Sequence, residues 1–209
     1  MRGRPWRASR AAGWILNVAL RLLIVGFAIE ALLASGDPRF ATKGIAVRNL
    51  VLAGAVLTLS VPAFHAVRGR GRPYPVWLDV LLLSVIGLDM AGNSLGLYDA
   101  GWRFDLVPHT YGPFAGVAIL RALGMAFAPS AMIINGVHVL HELQEAAGDV
   151  VFGTTNVRGA WDTASDLMAG AIGSIAVPVL LDRLRRGREQ RVNDRRGAVV
   201  PMGGAYSST

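Results

Sequence analysis

Histidine and carboxylate residues are spaced four apart at three places in this chain. The three pairs are Asp105 and His109, His141 and Glu145, and Asp162 and Asp166. Because positions four apart lie on one face of a helix, the two side chains of each pair can meet. A carboxylate beside an imidazole can orient it as a base or as a metal ligand. The spacing therefore predicts a polar site with acid and base chemistry or a bound divalent metal.

The segment 137–145 adds two features to this candidate site. His138 and Glu142 have the same four-residue spacing. In addition, His141-Glu142 followed by Glu145 resembles the zinc-peptidase helix with its second histidine replaced by glutamate. The expected catalytic residues are Asp105, His109, Glu142, Glu145, Asp162 and Asp166. The candidate ligands for a divalent metal cofactor are His141, Glu145 and Asp166.

The same carboxylates also have a purely structural interpretation. Asp162 stands near the predicted start of the last helix, where a carboxylate accepts backbone N–H groups. Other carboxylates could pair with Arg103 or Arg158. Capping does not account for Asp166, which lies one turn deeper. A charge in the hydrocarbon region costs roughly 3 kcal/mol on insertion scales, so several carboxylates at one depth favour a functional site.

The composition places these residues in a membrane protein. Of 209 residues, 53% are hydrophobic and 17% are charged, and the mean hydropathy is +0.43. About 20 apolar residues span the hydrocarbon layer, and six apolar stretches approach that length: 11–34, 45–67, 76–97, 111–128, 131–147 and 164–184. The predicted fold is an all-α polytopic membrane helix bundle of about six transmembrane helices. The chain has no cysteine, which excludes thiol nucleophiles and Cys-ligated metals.

Basic residues orient the predicted bundle. They cluster before the first helix, between the second and third, and after the sixth, and such clusters mark cytoplasmic loops. Both termini are therefore predicted to be cytoplasmic, with the bundle over residues 1–186 and a basic disordered cytoplasmic tail over 187–209. The carboxylates and histidines then face the extracytoplasmic side. Since topology explains the formal charge of +7, nucleic acid is not an expected partner.

Four segments of the second half resemble the YjdF-like family of bacterial inner-membrane proteins, which is distantly similar to VanZ-like proteins. They are Phe104-Asp105-Leu106-Val107-Pro108-His109, Glu142-Leu143-Gln144-Glu145, Gly153-Thr154 and Trp161-Asp162-Thr163-Ala164-Ser165-Asp166-Leu167-Met168. The resemblance covers Asp89 to Gly173. It departs from the family in a longer stretch before Trp161 and in Ala146, where the family tends to carry tryptophan. It implies a multi-pass protein of the bacterial cytoplasmic membrane and no established reaction; VanZ-like members are associated with altered glycopeptide susceptibility.

Three functions are compatible with these features. In the first, the carboxylates and histidines line a cavity and act on, or bind, a lipid or lipid-linked envelope substrate. In the second, the protein is a non-catalytic accessory or scaffold subunit with membrane-protein partners. In the third, it is a small ion-coupled transporter, although the acids gather at one face and no inverted repeat is visible. Membrane lipids are expected partners in all three.

Overall fold

The chain is helical throughout the part that the computed structural model describes, which comprises residues 4–69, 71–100, 104–183 and 186–187. The helices are α1 (Arg4–Leu33), α2 (Pro38–Ala41), α3 (Ile45–Gly54), α4 (Val61–Arg68), α5 (Val76–Ser94), α6 (Leu106–Ala122), α7 (Phe127–Phe152) and α8 (Ala160–Ala171). A π-helical turn, Ala55–Leu59, joins α3 to α4, and another, Ile172–Ala176, continues α8 into a helical segment over 177–183. The all-α prediction is confirmed.

Four helical segments are long and apolar enough to cross a membrane: Arg10–Leu33, Ile45–Arg68, Val76–Ser94 and Ala160–Arg183. Their outward side chains are apolar, as in Ile15, Leu22 and Val51, each more than 60% exposed. Such a surface is stable against lipid rather than water. Of the other two long helices, α6 has 17 residues and α7 carries histidines and glutamates along its second half.

The boundaries of α6 and α7 differ from the expected ones, because two prolines lie in first turns. α6 begins at Leu106 rather than residue 111, and α7 begins at Phe127 rather than residue 131. A proline in the first turn of a helix removes only an N–H that has no intrahelical partner. The turn lies instead at 123–126, where Gly124 has a φ of +95°. The two helices form a tight hairpin.

The bundle consists of two groups of helices joined along one contact. α1 packs against α5 and α3, and α6 packs against α8 and α7. The contact of α5 with α6 joins the two groups. A buried apolar cluster of the first group holds α1, α3 and α5 together and includes Ile24, Ala28, Ala53, Leu83 and Met90. α3 and α7 stand at the free edges of the two groups and are not packed along each other.

Asp79 on α5 forms the centre of a buried polar cluster near the N-terminal end of that helix. It is fully buried, and its Oδ2 accepts hydrogen bonds from Asn17, Arg21 and Tyr74. Arg21 also donates to the carbonyl of Leu57 in the first π-helical turn, 3.1 Å away. The cluster thereby ties α1, α5 and the α3–α4 segment together. The predicted basic tail, apart from Gly187, and Arg103 lie outside the described residues.

Candidate functional site

A cavity of about 690 Å³ lies between α3, α5, α6 and α7. Part of its wall is polar and includes Arg48, Asp89, His109, His138, Glu145 and Asp166. Another part is apolar and includes Leu52, Val85, Ile86, Pro113, Ile134 and Val137. A volume of this size accommodates a ligand of several hundred daltons, and the mixed wall is typical of small-molecule sites.

The polar and apolar parts of the wall are separated along the helix axes. On α3, Arg48 precedes Leu52 by one turn, and on α5, Asp89 follows Val85 by one turn. Since α3 and α5 point in opposite directions, both place their charged residue at the same end of the cavity. The polar lining residues of α6 and α7 also lie at this end, and their apolar lining residues lie at the other. We call these the polar end and the apolar end of the cavity. An amphiphilic molecule has the matching distribution of polar and apolar groups.

His109, in the first turn of α6, lies at the centre of the polar end. Its Nδ1 is 2.8 Å from Nε2 of His138 on α7, so one ring donates a hydrogen bond to the other. Oε1 of Glu142 lies 3.4 Å from Nδ1 of His109 and 3.5 Å from Nε2 of His138. The three residues are buried, and their ligand atoms lie within 4.8 Å of one another.

Two further carboxylates lie close to the same histidine. Nε2 of His109 lies 3.4 Å from Oδ1 of Asp105, the partner predicted from the four-residue spacing. Asp166 on α8 completes a second group of three ligand atoms within 4.8 Å of one another. Glu142 thus lies near Nδ1 and Asp105 near Nε2 of one imidazole. His109 is common to both groups and links α6 to α7 and α8.

Several buried atoms of this cluster make no hydrogen bond with any described residue. They are Oε1 of Glu142, Oδ1 of Asp166 and Nδ1 of His138. The residues are only 4%, 3% and 6% exposed, respectively. A buried acceptor without a partner is costly, and such atoms commonly bind a ligand, water or an ion. Imidazole nitrogens and carboxylate oxygens are ligands that borderline divalent cations prefer, so the two groups could hold a metal.

The ligand set expected from the sequence, His141, Glu145 and Asp166, is not the one that the described residues assemble. Nε2 of His141 lies 3.5 Å from Oε1 of Glu145, and both residues line the cavity. Neither belongs to the two groups above, and the side chain of His141 is 42% exposed. The difference follows from helix geometry, because His141 lies about 60° around α7 from His138, which faces α6.

Asp162 does not cap α8 in the way the sequence suggested, because its side chain accepts no N–H group of that helix. The N-cap of α8 is Gly159, and Asp162 lies in the first turn. Its Oδ2 accepts the backbone N–H of Arg158 at 2.9 Å, and its Oδ1 lies 3.4 Å from Nε of that arginine. Asp166, one turn further, lines the cavity beside His109. Of this pair, Asp162 contacts Arg158 and Asp166 lines the cavity.

Arg48 and Asp89 connect α3 with α5 across the polar end, a pair that the sequence analysis did not predict. Nη2 of Arg48 lies 2.7 Å from Oδ2 of Asp89, and the hydroxyl of Tyr98 donates to Oδ1 at 2.9 Å. Burial, followed by the charge of Asp89, raises the pKa of Tyr98 well above its usual range, which keeps this hydroxyl a donor. No sequence spacing links Arg48 to Asp89, so the sequence gives no indication of this pair. For His138, by contrast, the four-residue spacing to Glu142 indicates that the two side chains can meet.

The connection between α7 and α8, residues 153–159, lies over the polar end, and we call it the strap. Asp149 holds its shape by accepting hydrogen bonds from Thr154 Oγ1 at 2.6 Å and from the backbone N–H groups of Asn156 and Val157, each at 2.8 Å. The guanidinium of Arg158 binds Asp105. Burial opposes ionisation of Asp105, but hydrogen bonds and charges from His109 and Arg158 outweigh it and lower the pKa of this carboxyl.

Comparison with known proteins identifies the family. The model of a family described as "Predicted membrane protein (DUF2238)" matches residues 15–187, which include every site residue above. No significant match was found among curated proteins or among solved structures. The more distant similarity to VanZ-like proteins stays a prediction. Because the family model covers most of the chain and all its long apolar helices, this protein belongs to the DUF2238 family of membrane proteins.

Proposed function

We propose that the protein binds a divalent metal at the polar end of the cavity and acts there on a lipid or lipid-linked envelope substrate. The observation that carries this proposal is the pair of ligand groups sharing His109, with buried oxygens of Glu142 and Asp166 that make no hydrogen bond with the described residues. A site that only stabilised the fold would be expected to satisfy its buried polar atoms. The apolar end supplies a surface for a hydrocarbon chain.

The chemistry of such a site follows from its residues. A divalent ion held by His109, His138 and Glu142 would polarise a bound oxygen or lower the pKa of a bound water molecule. Asp105 and Asp166 also lie close to His109; Asp105 could orient its imidazole and Asp166 could take up or release a proton. Glu145 lines the cavity next to His141 and could contact the substrate there. Asp162 serves in the fold of the strap rather than in the reaction.

The proposed location is the extracytoplasmic side of a bacterial cytoplasmic membrane, in a bundle of six spans. Four spans meet the length and hydropathy expected of membrane helices, and α6 and α7 pack beside them, α6 against α5 and α8 and α7 against α6 and α8. Arg68 ends α4 and Arg121 lies in the last turn of α6, both opposite the polar end. Arginines of this kind favour the cytoplasmic side, which places the polar end outside.

The test is metal analysis of purified protein together with two substitutions of buried carboxylates. Glu142→Gln and Asp166→Asn keep side-chain shape but remove the charge, so bound metal should fall while abundance in the membrane stays near that of the wild type. Glu30→Gln and Asp182→Asn are matched controls, because these carboxylates are 39% and 45% exposed and lie outside the cavity. They should leave the metal content unchanged.

Two outcomes would contradict this proposal. If the purified wild type binds no transition metal even after addition of Zn²⁺ or Mn²⁺, the two groups do not form a metal site. If Glu142→Gln and Asp166→Asn instead lower abundance in the membrane with no metal bound in any variant, the cluster is structural. That result, with stoichiometric copurification of another membrane protein, would support the accessory-subunit alternative.

A further inference from the structure

We infer that the cavity is filled from the side, by the hydrocarbon chain of a phosphate-bearing membrane lipid that passes between α3 and α7 beneath the strap. The inference rests on the proposed function for the metal that receives the phosphate. It adds the route by which the ligand reaches the site and the chemical class of the ligand. The gap, the strap and the charge of the site each support it.

The gap between α3 and α7 faces the lipid. Both helices line the cavity, yet the extensive contacts of each are with members of its own group. Val137 of α7 lines the cavity while its side chain is 56% exposed at the surface. The neighbouring outward residues Val51 and Leu140 are also apolar and more than 60% exposed. An apolar surface that continues into the cavity offers a hydrocarbon chain a path that never leaves an apolar environment.

The strap covers the alternative route from the aqueous side. The N–H of Thr155 donates to the carbonyl of Thr42 at 2.8 Å, which joins the strap to the connection before α3. At its other end, Arg158 binds Asp105 at the start of α6. The strap therefore bridges the two helix groups at the polar end. Asp149 fixes its shape by four hydrogen bonds, so opening the strap would break several contacts at once.

The depth of the cavity suits a chain rather than a small polar solute. Along α7, lining residues run from Glu145 to Ile134, which corresponds to about 16 Å at 1.5 Å per residue. The wall becomes apolar beyond His138, with Val137 and Ile134 facing Leu52 of α3 around the same space. A headgroup held at the polar end would thus have its chain directed toward the apolar end.

The net charge at the polar end determines which lipid headgroup can bind there. The three basic residues of the polar end are each paired with an acid: Lys43 with Asp99, Arg48 with Asp89 and Arg158 with Asp105. Without metal, the remaining carboxylates would repel an anion. A divalent ion bound by two neutral imidazoles and the Glu142 carboxylate keeps one net positive charge and has open positions. An anionic phosphate oxygen is a suitable ligand for such an open position. Binding of the lipid should therefore require the metal.

Lysophosphatidic acid and monoacylglycerol of the same chain length are suitable probes, because they differ only in the phosphate. The wild type in lipid nanodiscs should bind radiolabelled lysophosphatidic acid with Zn²⁺ present and lose it on chelation. Monoacylglycerol should bind about tenfold more weakly. Equal binding of the two probes, or binding of lysophosphatidic acid unaffected by chelation, would overturn the assignment of the headgroup.

The route is tested by locking the strap. The chain has no cysteine, so Thr42→Cys and Thr155→Cys can be joined selectively with a short bifunctional thiol reagent. If the lipid enters between α3 and α7, the affinity of the joined protein for lysophosphatidic acid should be within about twofold of that of the unjoined protein. Loss of binding only after joining would show that the ligand passes the strap, which overturns the route but leaves the metal site and its substrate class intact.

A second pair of variants narrows the gap. Leu52→Trp and Val137→Trp should weaken lysophosphatidic acid binding about tenfold by filling the path, while Zn²⁺ binding stays unchanged. Met132→Trp is the matched control, because Met132 is on the same helix, 76% exposed and outside the cavity wall. Undiminished binding in both gap variants would overturn lateral access. Retained Zn²⁺ binding in each variant separates this result from failure of the metal site or of the fold.

Discussion

Arg21 Nη2 lies 2.5 Å from Oδ2 of Asp79, and the aspartate of this ion pair is completely buried between α1 and α5. The other oxygen of Asp79 has no hydrogen-bond partner among the described residues. In a medium of low dielectric constant, the carboxylate depends on the guanidinium beside it, because a buried charge without a partner is far more costly than a buried pair. The contact therefore joins two membrane helices at their most tightly packed interface.

Arg21→Gln should accordingly destabilise the protein by about 3–5 kcal/mol, the usual cost of breaking one side of a buried pair. Arg121→Gln is the matched control, since Arg121 meets Asp182 at 3.4 Å with both side chains at least 40% exposed; it should cost about 1 kcal/mol or less. Unfolding in a mixed micelle titrated with denaturant measures both. Equal costs would show that burial of Asp79 does not control the contribution of this pair.

Gly173 allows the π-helical turn after α8 to approach α6. A Cβ at this position would run into the backbone carbonyl of Thr110, which cannot move away as a side chain could. We expect Gly173→Ala to lower stability by about 1–3 kcal/mol through forced displacement of the helices. A Cβ at Gly136 would meet no described atom within 4 Å, so Gly136→Ala should be neutral or stabilise α7 by up to about 1 kcal/mol. Thermal unfolding of the two variants side by side is the measurement.

A Cβ at Gly170 would run into a side chain instead, the imidazole of His138. Gly170→Ala should push that ring aside at a smaller cost in stability than Gly173→Ala, because a side chain can rotate. The consequence should be about tenfold or greater loss of Zn²⁺ affinity, as expected when a metal ligand is displaced from its geometry. Zn²⁺ titration against a competing chelator checks this, with Gly136→Ala as the control. Unchanged affinity would remove His138 from the set of ligands.

The stability of the N-terminal cap of α2, which Asp37 provides, should depend on pH. The side-chain hydrogen bond from Arg39, together with the backbone N–H of that residue, holds the pKa of Asp37 below its usual range. Because the folded pKa is lower than the unfolded value of about 3.9, the stabilisation is complete above that value and is lost as the pH falls through the folded pKa. Hydrogen-exchange protection of the Arg39 amide should decline over this acidic range.

Asp37→Asn provides the control for that measurement. Asparagine also caps helices but does not titrate in this range, so protection of the Arg39 amide should stay level as the pH falls. Intrinsic exchange rates are divided out, since they change with pH in both proteins. A parallel decline in wild type and variant would assign the effect to other acidic groups.

The helical segments were largely predictable, because apolar length is a strong signal for membrane helices. Helices α3 and α5 begin at Ile45 and Val76, the residues at which the corresponding apolar stretches begin. The errors at α6 and α7 arose from Pro108 and Pro129, since the sequence alone does not distinguish a proline that ends one helix from a proline that opens the next. The π-helical turns had no sequence signal.

The site was predictable along single helices but not between them. Spacing correctly paired Asp105 with His109 and His138 with Glu142. It did not reveal that His138 hydrogen-bonds His109 of α6 whereas His141 only stacks on its ring, because periodicity fixes which residues share a face and leaves open which neighbour that face meets. For the same reason Arg48 and Asp89, forty-one positions apart, had no pattern to connect them.

The open side between α3 and α7 has a practical consequence for every measurement on the purified protein. A detergent monomer has the same combination of apolar chain and polar headgroup as the proposed ligand, and it is present in large excess. By mass action it would compete for the cavity and lower the apparent affinity of any lipid probe. The solubilising agent thus becomes a component of the binding equilibrium, and detergents of increasing chain length would act as a graded series of competitors.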